Sequence, residues 1–307
     1  MGLSAGIVKK TVEAIGGLGL LMYGIQIMEG GLQKAAGDHL RKILKVLTYG
    51  ILMQIIVGVT ITAITQSSSA TIIMLIGFVK ANLISLPQSL GVILGANIGT
   101  TVTAQIIAFE LSDYALPIIV LGFLLHLYAT QKLLKPLGTV LFGFGLLFLG
   151  LGLMAKAIHP LFQRQSLLHT LLGFVGNPFS GLLVGATITG IMHSGSATMG
   201  IIIALASINL ISLHEAIPMI LGCNIGTCFA TFKASFGATK SAKKIVIAHI
   251  LFNIIGTIVF LPILAPFEAL VLFTSRNLLR QIAHAHTLFN VFGAALFPPL
   301  SNNMENS

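Results

Sequence analysis

Charged side chains are scarce in this sequence. Asp, Glu, Lys and Arg together make up 8% of its 307 residues, whereas 55% are hydrophobic and the mean hydropathy is +0.98. A soluble domain carries about 25% charged residues, so this chain has too few to cover a water-facing surface. The composition excludes a large soluble core. It predicts an all-α integral membrane protein in which residues 1–307 form a single transmembrane domain.

Cysteine is also rare, with only Cys223 and Cys228 present, five residues apart in an apolar segment. This spacing indicates two small buried residues rather than a disulfide framework or a metal site. The net charge is +9, but the basic residues lie in short polar segments between apolar ones. We interpret them as topology signals and contacts with membrane lipid, and we expect no nucleic-acid partner.

Only eight residues are acidic, and none of them lies in the polar motifs described below. A proton relay built from Asp and Glu is therefore not expected, and a cationic substrate would lack a counter-ion. Glu29 lies in the first apolar segment, at about 13–32. That segment has no small-residue cleavage site, so we do not expect a cleaved signal peptide.

The chain contains an internal duplication. Residues 58–100 align without a gap onto 185–227, at a constant offset of 127, and 22 of the 43 positions are identical. The similarity extends back to GLGLLMYGIQIM at 17–28 and GFGLLFLGLGLM at 143–154. We therefore predict two structural repeats and a C-terminal pair of helices, at 17–109, 143–236 and 237–307.

The basic residues change sides between the two copies. Four of them lie in segment 33–49, and its counterpart 159–178 has one; segment 110–113 has two acids, and its counterpart 233–244 has four lysines. Lys and Arg mark the cytoplasmic side of a membrane, so the repeats are predicted to have inverted topology, as in secondary transporters. The residues of the first pair of segments are Lys34, Arg41, Lys42 and Lys45, against Arg164.

This charge pattern predicts a topology with the N-terminus outside and the C-terminus inside. Lys9 and Lys10 then lie outside, contrary to the tendency of basic residues to lie on the cytoplasmic side. Two short apolar segments, 50–80 and 179–206, are predicted to be re-entrant helical hairpins; the alternative, that they are full crossings, fits the charges less well. The predicted crossings are 13–32, 86–109, 114–131, 137–158, 215–236, 245–265 and 282–300.

Two polar motifs occur in both repeats. QSSSA at 66–70 and HSGSA at 193–197 are predicted to be the hairpin tips, where a serine caps a half-helix that begins at about Ala70 or Ala197. GANIGTT at 95–101 and GCNIGTC at 222–228 predict a break in a crossing helix. Half-helix N-termini bind anions, and the opposite ends with hydroxyls coordinate Na⁺. The alternative is that these small residues only pack helices together.

QSSSA and GANIGTT in a duplicated chain resemble the type II sodium–phosphate cotransporter family, and the resemblance covers residues 17–300. The paired segments IAHILFNIIG at 247–256 and HAHTLFNVFG at 284–293 are similar to its bacterial members. The resemblance implies Na⁺-coupled transport of inorganic phosphate, with QSSS hairpins that hold substrate and ions. It also implies that no cofactor is needed beyond Na⁺ as the coupling ion.

The second tip departs from the family motif, because His193 replaces Gln and Gly195 replaces Ser. Histidine titrates near neutral pH, so His193 would make transport pH-dependent; the alternative, which we favour, is that neutral His193 replaces the hydrogen bonds of Gln. The pairs His249/Asn253 and His286/Asn290 lie four residues apart on helix faces. We interpret them as polar packing pairs rather than ligands.

The resemblance and the motifs together predict a non-enzymatic carrier in the inner (plasma) membrane of a bacterium. Its expected partners are phosphate, Na⁺ and membrane lipid. We expect this chain to lack a PhoU-like domain, so a separate PhoU-like regulator is left open. A homodimer is also left open. Other oxyanions, net export, a channel and a membrane serine hydrolase at Ser194 are the alternatives. The predicted phosphate ligands are Ser67, Ser68, Ser69, Ser194 and Ser196. The predicted Na⁺-binding or tip-shaping residues are Thr62, Gln66, Asn97, Thr100, Thr189, His193, Asn224 and Thr227.

Overall fold

The computed structural model describes residues 2–36, 50–81, 83–162, 173–237 and 239–297. Every regular element in these ranges is helical. In chain order the α-helices are α1 (Gly2–Ala36), α2 (Ile51–Thr65), α3 (Ser68–Lys80), α4 (Leu86–Ile107), α5 (Ala115–Tyr128), α6 (Leu134–Ile158), α7 (Pro178–Met192), α8 (Gly195–Ser207), α9 (Leu213–Ala234), α10 (Lys240–Phe260), α11 (Leu264–Leu272) and α12 (Leu278–Leu296).

Within the described ranges, six segments are long and apolar enough to cross a membrane: Gly6–Ala36, Leu86–Ile107, Leu111–Tyr128, Leu134–Leu161, Leu213–Ala234 and Lys243–Leu272. They coincide with six of the predicted crossings. The seventh, at 282–300, falls on α12, which is not among them because polar residues such as Gln281, His286 and Asn290 interrupt it. Residues 298–300 of that prediction lie outside the described ranges.

The helices α1 and α6 carry matching sequences and pack against each other through glycine. A Cβ atom on Gly17 would lie 2.8 Å from the carbonyl oxygen of Gly150, and one on Gly24 would lie 2.6 Å from that of Gly143. Gly17 and Gly143 are repeat counterparts, as are Gly24 and Gly150. The contact is therefore reciprocal, as a two-fold relationship requires, and the order of the pairs shows that the two helices are antiparallel.

The packing inside each repeat is also duplicated. A Cβ atom on Gly95 of α4 would lie 2.0 Å from the carbonyl oxygen of Ile55 in α2. In the second repeat, a Cβ atom on the counterpart glycine, Gly222 of α9, would lie 1.9 Å from the carbonyl oxygen of Leu182 in α7. Only glycine permits backbones to approach this closely. The sequence duplication therefore corresponds to a duplicated helix packing.

The predicted helix breaks at GANIGTT and GCNIGTC are wrong. The helices α4 and α9 run through both motifs without interruption. The threonine hydroxyls donate to carbonyls of their own helix instead of capping a new one: Thr100 to Ala96 over 3.1 Å, and Thr227 to Asn224 over 2.6 Å. The glycines of these motifs serve close packing, so that the fold has two half-helix N-termini at the tips rather than four.

The basic residues Arg41, Lys42, Lys45 and Arg164, on which the predicted inversion partly depends, lie outside the described ranges.

Candidate functional site

The first tip is a tight turn between α2 and α3. Gln66 ends α2 in the left-handed conformation, with a φ of 56°. Ser67 follows with extended backbone, and its hydroxyl oxygen accepts a hydrogen bond from the backbone N–H of Ala70 over 3.2 Å. The turn thus exposes the N-terminal end of α3, which begins at Ser68, two residues before the predicted start.

The second tip repeats this geometry. His193 ends α7 with a φ of 53°, and the Ser194 hydroxyl accepts from the backbone N–H of Ala197 over 3.2 Å. The helix α8 then begins at Gly195. The two serines that precede the half-helices are therefore N-caps in both repeats, as the sequence predicts.

A pair of threonine hydroxyls joins the two arms of each hairpin behind its tip. Thr62 and Thr71 lie 2.8 Å apart in the first hairpin, and Thr189 donates to Thr198 over 2.9 Å in the second. All four side chains are buried. Thr62 and Thr189, predicted as Na⁺ ligands or tip-shaping residues, are placed to shape the tips.

The tips meet the opposite repeat. The Ser69 hydroxyl donates to the backbone carbonyl of Thr227 over 3.3 Å, and the Ser196 hydroxyl donates to the Thr103 hydroxyl over 3.4 Å. A Cβ atom on Gly195 would lie 3.1 Å from the methyl group of Thr227. Each half-helix start therefore contacts the helix of the other repeat that carries GANIGTT or GCNIGTC.

A cavity of about 240 Å³ lies between the tips. Both tips, one threonine from each of α4 and α9, and one face of α1 line it. The lining residues are Met22, Ile25, Gln26, Glu29, Gln66, Ser67, Ser68, Ser69, Thr100, Met192, His193, Ser194, Gly195, Ser196 and Thr227. The structure thus brings together all five predicted phosphate ligands with Gln66, Thr100, His193 and Thr227.

This arrangement can hold an anion with groups other than basic side chains. Within the part of the chain that the structure describes, neither Lys nor Arg lines the cavity. Instead, the N-terminal ends of α3 and α8 supply free backbone N–H groups and the positive end of a helix dipole. The hydroxyls of Ser67 and Ser194 add donors, because a hydroxyl that accepts a bond at the cap keeps its own proton for a ligand.

Four of the predicted residues do not line the cavity. Thr62 and Thr189 lie behind the tips, as described above. Asn97 donates to the side chain of Asn253 over 3.3 Å, and Asn224 donates to the carbonyl of Ile220 over 3.0 Å. Both asparagines are buried in helix packing.

His193 does not reproduce the contacts of its counterpart Gln66. Gln66 is buried and accepts a hydrogen bond from Thr103, whereas His193 is exposed and stacks on Phe229 with 6.0 Å between the ring centroids. The counterpart of Thr103 is Ala230, which has no hydroxyl. The expectation that histidine takes over the glutamine hydrogen bonds is therefore not met within the described residues.

The paired histidines act in helix packing, with one difference between them. His249 Nδ1 lies 3.1 Å from the hydroxyl of Thr231, whereas His286 Nδ1 is buried with no partner among the described residues. The repeat places Ala104 at the position of Thr231, and the bond from Gln105 to Thr287 sets α12 against α4 in the matching register. The first repeat therefore lacks the hydroxyl that Thr231 offers to His249.

The contribution of α1 to the cavity was not predicted from the sequence. Gln26 and Glu29 line the cavity together with Met22 and Ile25. An acidic residue within the apolar part of a membrane helix is a signal for a functional site. Glu29 carries that signal, which the comparison of repeat motifs alone does not reveal because its counterpart in α6 is Ala155.

The chain matches the family described as Na⁺/Pi-cotransporter over residues 20–156 and again over 158–296. No solved structure matches it. Among similar proteins, "Uncharacterized protein YqeW" of Bacillus subtilis (strain 168) is 33% identical over 243 residues, which are 79% of each chain.

Two further relatives carry functional names. "Putative inorganic phosphate export protein YjbB" of Salmonella typhimurium is 28% identical over 260 residues, 85% of this chain and 48% of that protein. "Sodium-dependent phosphate transport protein 2B" of Bos taurus is 36% identical over 104 residues, 33% of this chain and 15% of that protein. The chain thus spans about half of YjbB and a small part of the bovine protein. The two family matches and the six apolar helices show that this multi-pass membrane protein belongs to the Na⁺/Pi-cotransporter family.

Proposed function

We propose that this protein is a Na⁺-coupled carrier of inorganic phosphate that works by alternating access. The observation that carries the proposal is the meeting of the two serine tips, one from each repeat, at a single cavity. A site built equally from two repeats lies where the two halves of a carrier move against each other.

Phosphate would bind to hydroxyls and backbone N–H groups at the starts of α3 and α8. Ser68, Ser69 and Ser196 lie in the first turn of these helices, where orphan N–H groups point toward the cavity. Ser67 and Ser194 accept a backbone bond, and their own protons would be free to bond the phosphate. Neutral donors of this kind hold an anion without an Arg or Lys, whose charge would make release slower.

Na⁺ would bind to neutral oxygen atoms near the phosphate. The cavity offers the side chains of Gln66, Thr100 and Thr227, of which the two threonine hydroxyls come from opposite repeats. Hydroxyl, amide and carbonyl oxygens are the ligands that hard cations prefer. A cation beside the phosphate lowers the electrostatic cost of placing an anion inside the membrane.

Two geometric features support inverted repeats with re-entrant hairpins. The reciprocal, antiparallel contact of α1 with α6 fits a two-fold axis in the membrane plane. The arms α2 and α3 have 15 and 13 residues, which is about 20 Å of helix and short of the ~30 Å hydrocarbon core. Hairpins of this length would end near the middle of the bilayer, and the cavity between their tips would then lie at that depth.

The surface of α5 supports its contact with lipid. Leu116, Val120, Phe123 and Leu127 are exposed along this helix, and such an apolar face fits the hydrocarbon of a bacterial inner membrane. The N-out, C-in orientation, a PhoU-like regulator and a homodimer remain part of the proposal on the sequence argument alone.

Outward transport is the second candidate. The name of YjbB indicates phosphate export for that relative, and the present cavity has no feature that fixes a direction. In a coupled carrier the ion and phosphate gradients set the direction, so one site serves both. Other oxyanions of similar charge would compete for the same hydroxyls.

The test is uptake of radiolabelled phosphate into proteoliposomes that contain the purified protein, with and without an inward Na⁺ gradient. We expect uptake that requires Na⁺ and decreases at least tenfold in the Ser196→Ala variant. The matched control is Ser207→Ala, at the far end of the same helix α8, which should transport normally. Uptake indifferent to Na⁺ in the wild-type protein would contradict the coupling, and normal uptake in Ser196→Ala would contradict the site.

A further inference from the structure

We propose that Glu29 is the charged ligand of a Na⁺ site within the tip cavity. The inference deepens the proposed function, on which it rests, by assigning the coupling ion to α1, which the repeated motifs leave out. Glu29 and Gln26 lie three residues apart on α1, on the face that lines the cavity. They bring a carboxylate and an amide to the same wall.

The Glu29 carboxylate has no compensating group among the residues that the structure describes. Within the described ranges it makes no hydrogen bond and no ion pair, whereas Glu13 on the same helix pairs with Lys10 over 2.7 Å. Glu29 is partly buried. A carboxylate withdrawn from water without a partner is costly, and a cation bound from outside the chain would offset its charge.

A bound phosphate makes this need stronger. Phosphate at the starts of α3 and α8 would share the cavity with Glu29, and two negative charges in a site of about 240 Å³ repel each other. A cation between them converts the repulsion into two attractions. The carboxylate therefore couples occupancy by phosphate to occupancy by the cation.

The ligand chemistry favours Na⁺. The cavity that Glu29 lines also offers oxygens of Gln26, Gln66 and the tip serines, and hard cations bind carboxylate, carbonyl and hydroxyl oxygens. Within the described residues, His193 is the other titratable side chain that lines the cavity. No cluster of three or more His, Cys, Asp or Glu is found there to hold a transition metal.

The experiment measures thermal unfolding of the detergent-solubilised protein, without phosphate, as NaCl replaces choline chloride at constant ionic strength. A ligand that binds the folded state raises the unfolding temperature. We expect Na⁺ to stabilise the wild-type protein and Glu29→Gln to require at least tenfold more Na⁺ for the same shift. In choline chloride the Glu29→Gln protein should be as stable as wild type or more so, because an uncompensated charge has been removed. That result also shows that the variant folds.

Two matched variants and a transport assay complete the test. Glu29→Asp keeps the charge and should retain part of the Na⁺ response, and Glu13→Gln, on the same helix outside the cavity, should leave it unchanged. In proteoliposomes, Glu29→Gln should raise the Na⁺ concentration for half-maximal phosphate uptake at least tenfold. An equal Na⁺ shift in wild type and Glu29→Gln would overturn the proposal, as would the lack of any Na⁺ shift in wild type. The proposal would also be overturned if Glu29→Gln lost only the pH dependence of uptake, because Glu29 would then bind a proton rather than Na⁺. Failure of the proposed function is a separate result, because it would be seen as wild-type uptake indifferent to Na⁺ whatever the unfolding data show.

Discussion

Ser69 in the first repeat donates a hydrogen bond to the backbone carbonyl of Thr227 in the second, over 3.3 Å. The counterpart of Ser69, Ser196, reaches back to Thr103 of the first repeat. The two half-helix starts are thus fixed by each other's repeats, and neither repeat can form the cavity alone. A site with this dependence links ligand binding to the relative position of the two halves.

Substitutions of the N-cap residue Ser67 can distinguish a structural role from a role in phosphate binding. Replacing Ser67 by Ala leaves the N–H of Ala70 without its acceptor, which should lower the free energy of unfolding by about 1 kcal/mol. Ser67→Asn restores a capping oxygen and should restore the unfolding temperature. Phosphate uptake should be lost in both variants if the Ser67 hydroxyl donates to the substrate. Uptake recovered by Ser67→Asn would show that Ser67 only caps the helix.

The close helix contacts predict which glycines are required. A methyl group on Gly222 would lie 1.9 Å from the carbonyl oxygen of Leu182, so Gly222→Ala should force α9 away from α7 and destabilise the protein by about 1–3 kcal/mol. Gly190 in α7 has no atom within 4 Å of such a methyl group. Gly190→Ala should therefore be neutral or stabilising by up to about 1 kcal/mol. Unfolding in detergent compares the two, and equal stability would contradict the packing argument.

The duplicated sequence predicted the turns at the two tips and their serine caps, because each of these depends on local residues that occur twice. QSSSA places a capping serine at a turn whatever surrounds it, and the structure has that cap in both copies. The membrane class follows from composition in the same way.

The unbroken course of α4 and α9 could not be predicted, because the same residues serve two purposes. Glycine permits a helix break and also permits close packing, and only the partner helix decides between them. At Gly95 the carbonyl of Ile55 lies where a side chain would be, so packing is the reason for the glycine. The role of Glu29 could not be predicted because it depends on the tertiary structure. The cavity that Glu29 lines is formed by residues more than thirty positions apart in the sequence.

His286 Nδ1 has no partner among the described residues, whereas His249 Nδ1 has one. Removing a hydroxyl near His249 and adding one near His286 should therefore have opposite effects on stability. Thr231→Ala should leave His249 Nδ1 without its 3.1 Å partner and lower the free energy of unfolding by about 1–3 kcal/mol. Ala104→Ser should give His286 the hydroxyl that its counterpart has, and raise the free energy of unfolding by up to about 1 kcal/mol. Thermal unfolding of the single variants measures both. A destabilised Ala104→Ser protein would show that the two helix pairs do not share one register.

The exposed His193 predicts that the second tip tolerates the glutamine of the first. Because His193 makes no hydrogen bond to the tip within the described residues and stacks on Phe229, His193→Gln should leave phosphate uptake within about twofold of wild type. The double variant His193→Gln with Ala230→Thr should rebuild the pair that Gln66 makes with Thr103. A double-mutant cycle of unfolding free energies should then show favourable coupling of about 1 kcal/mol. Ala230→Thr alone is the control and should gain nothing. Uptake that loses its pH dependence in His193→Gln would instead assign His193 a titrating role at the cavity, and additive free energies would show that the second tip cannot adopt the buried conformation of the first.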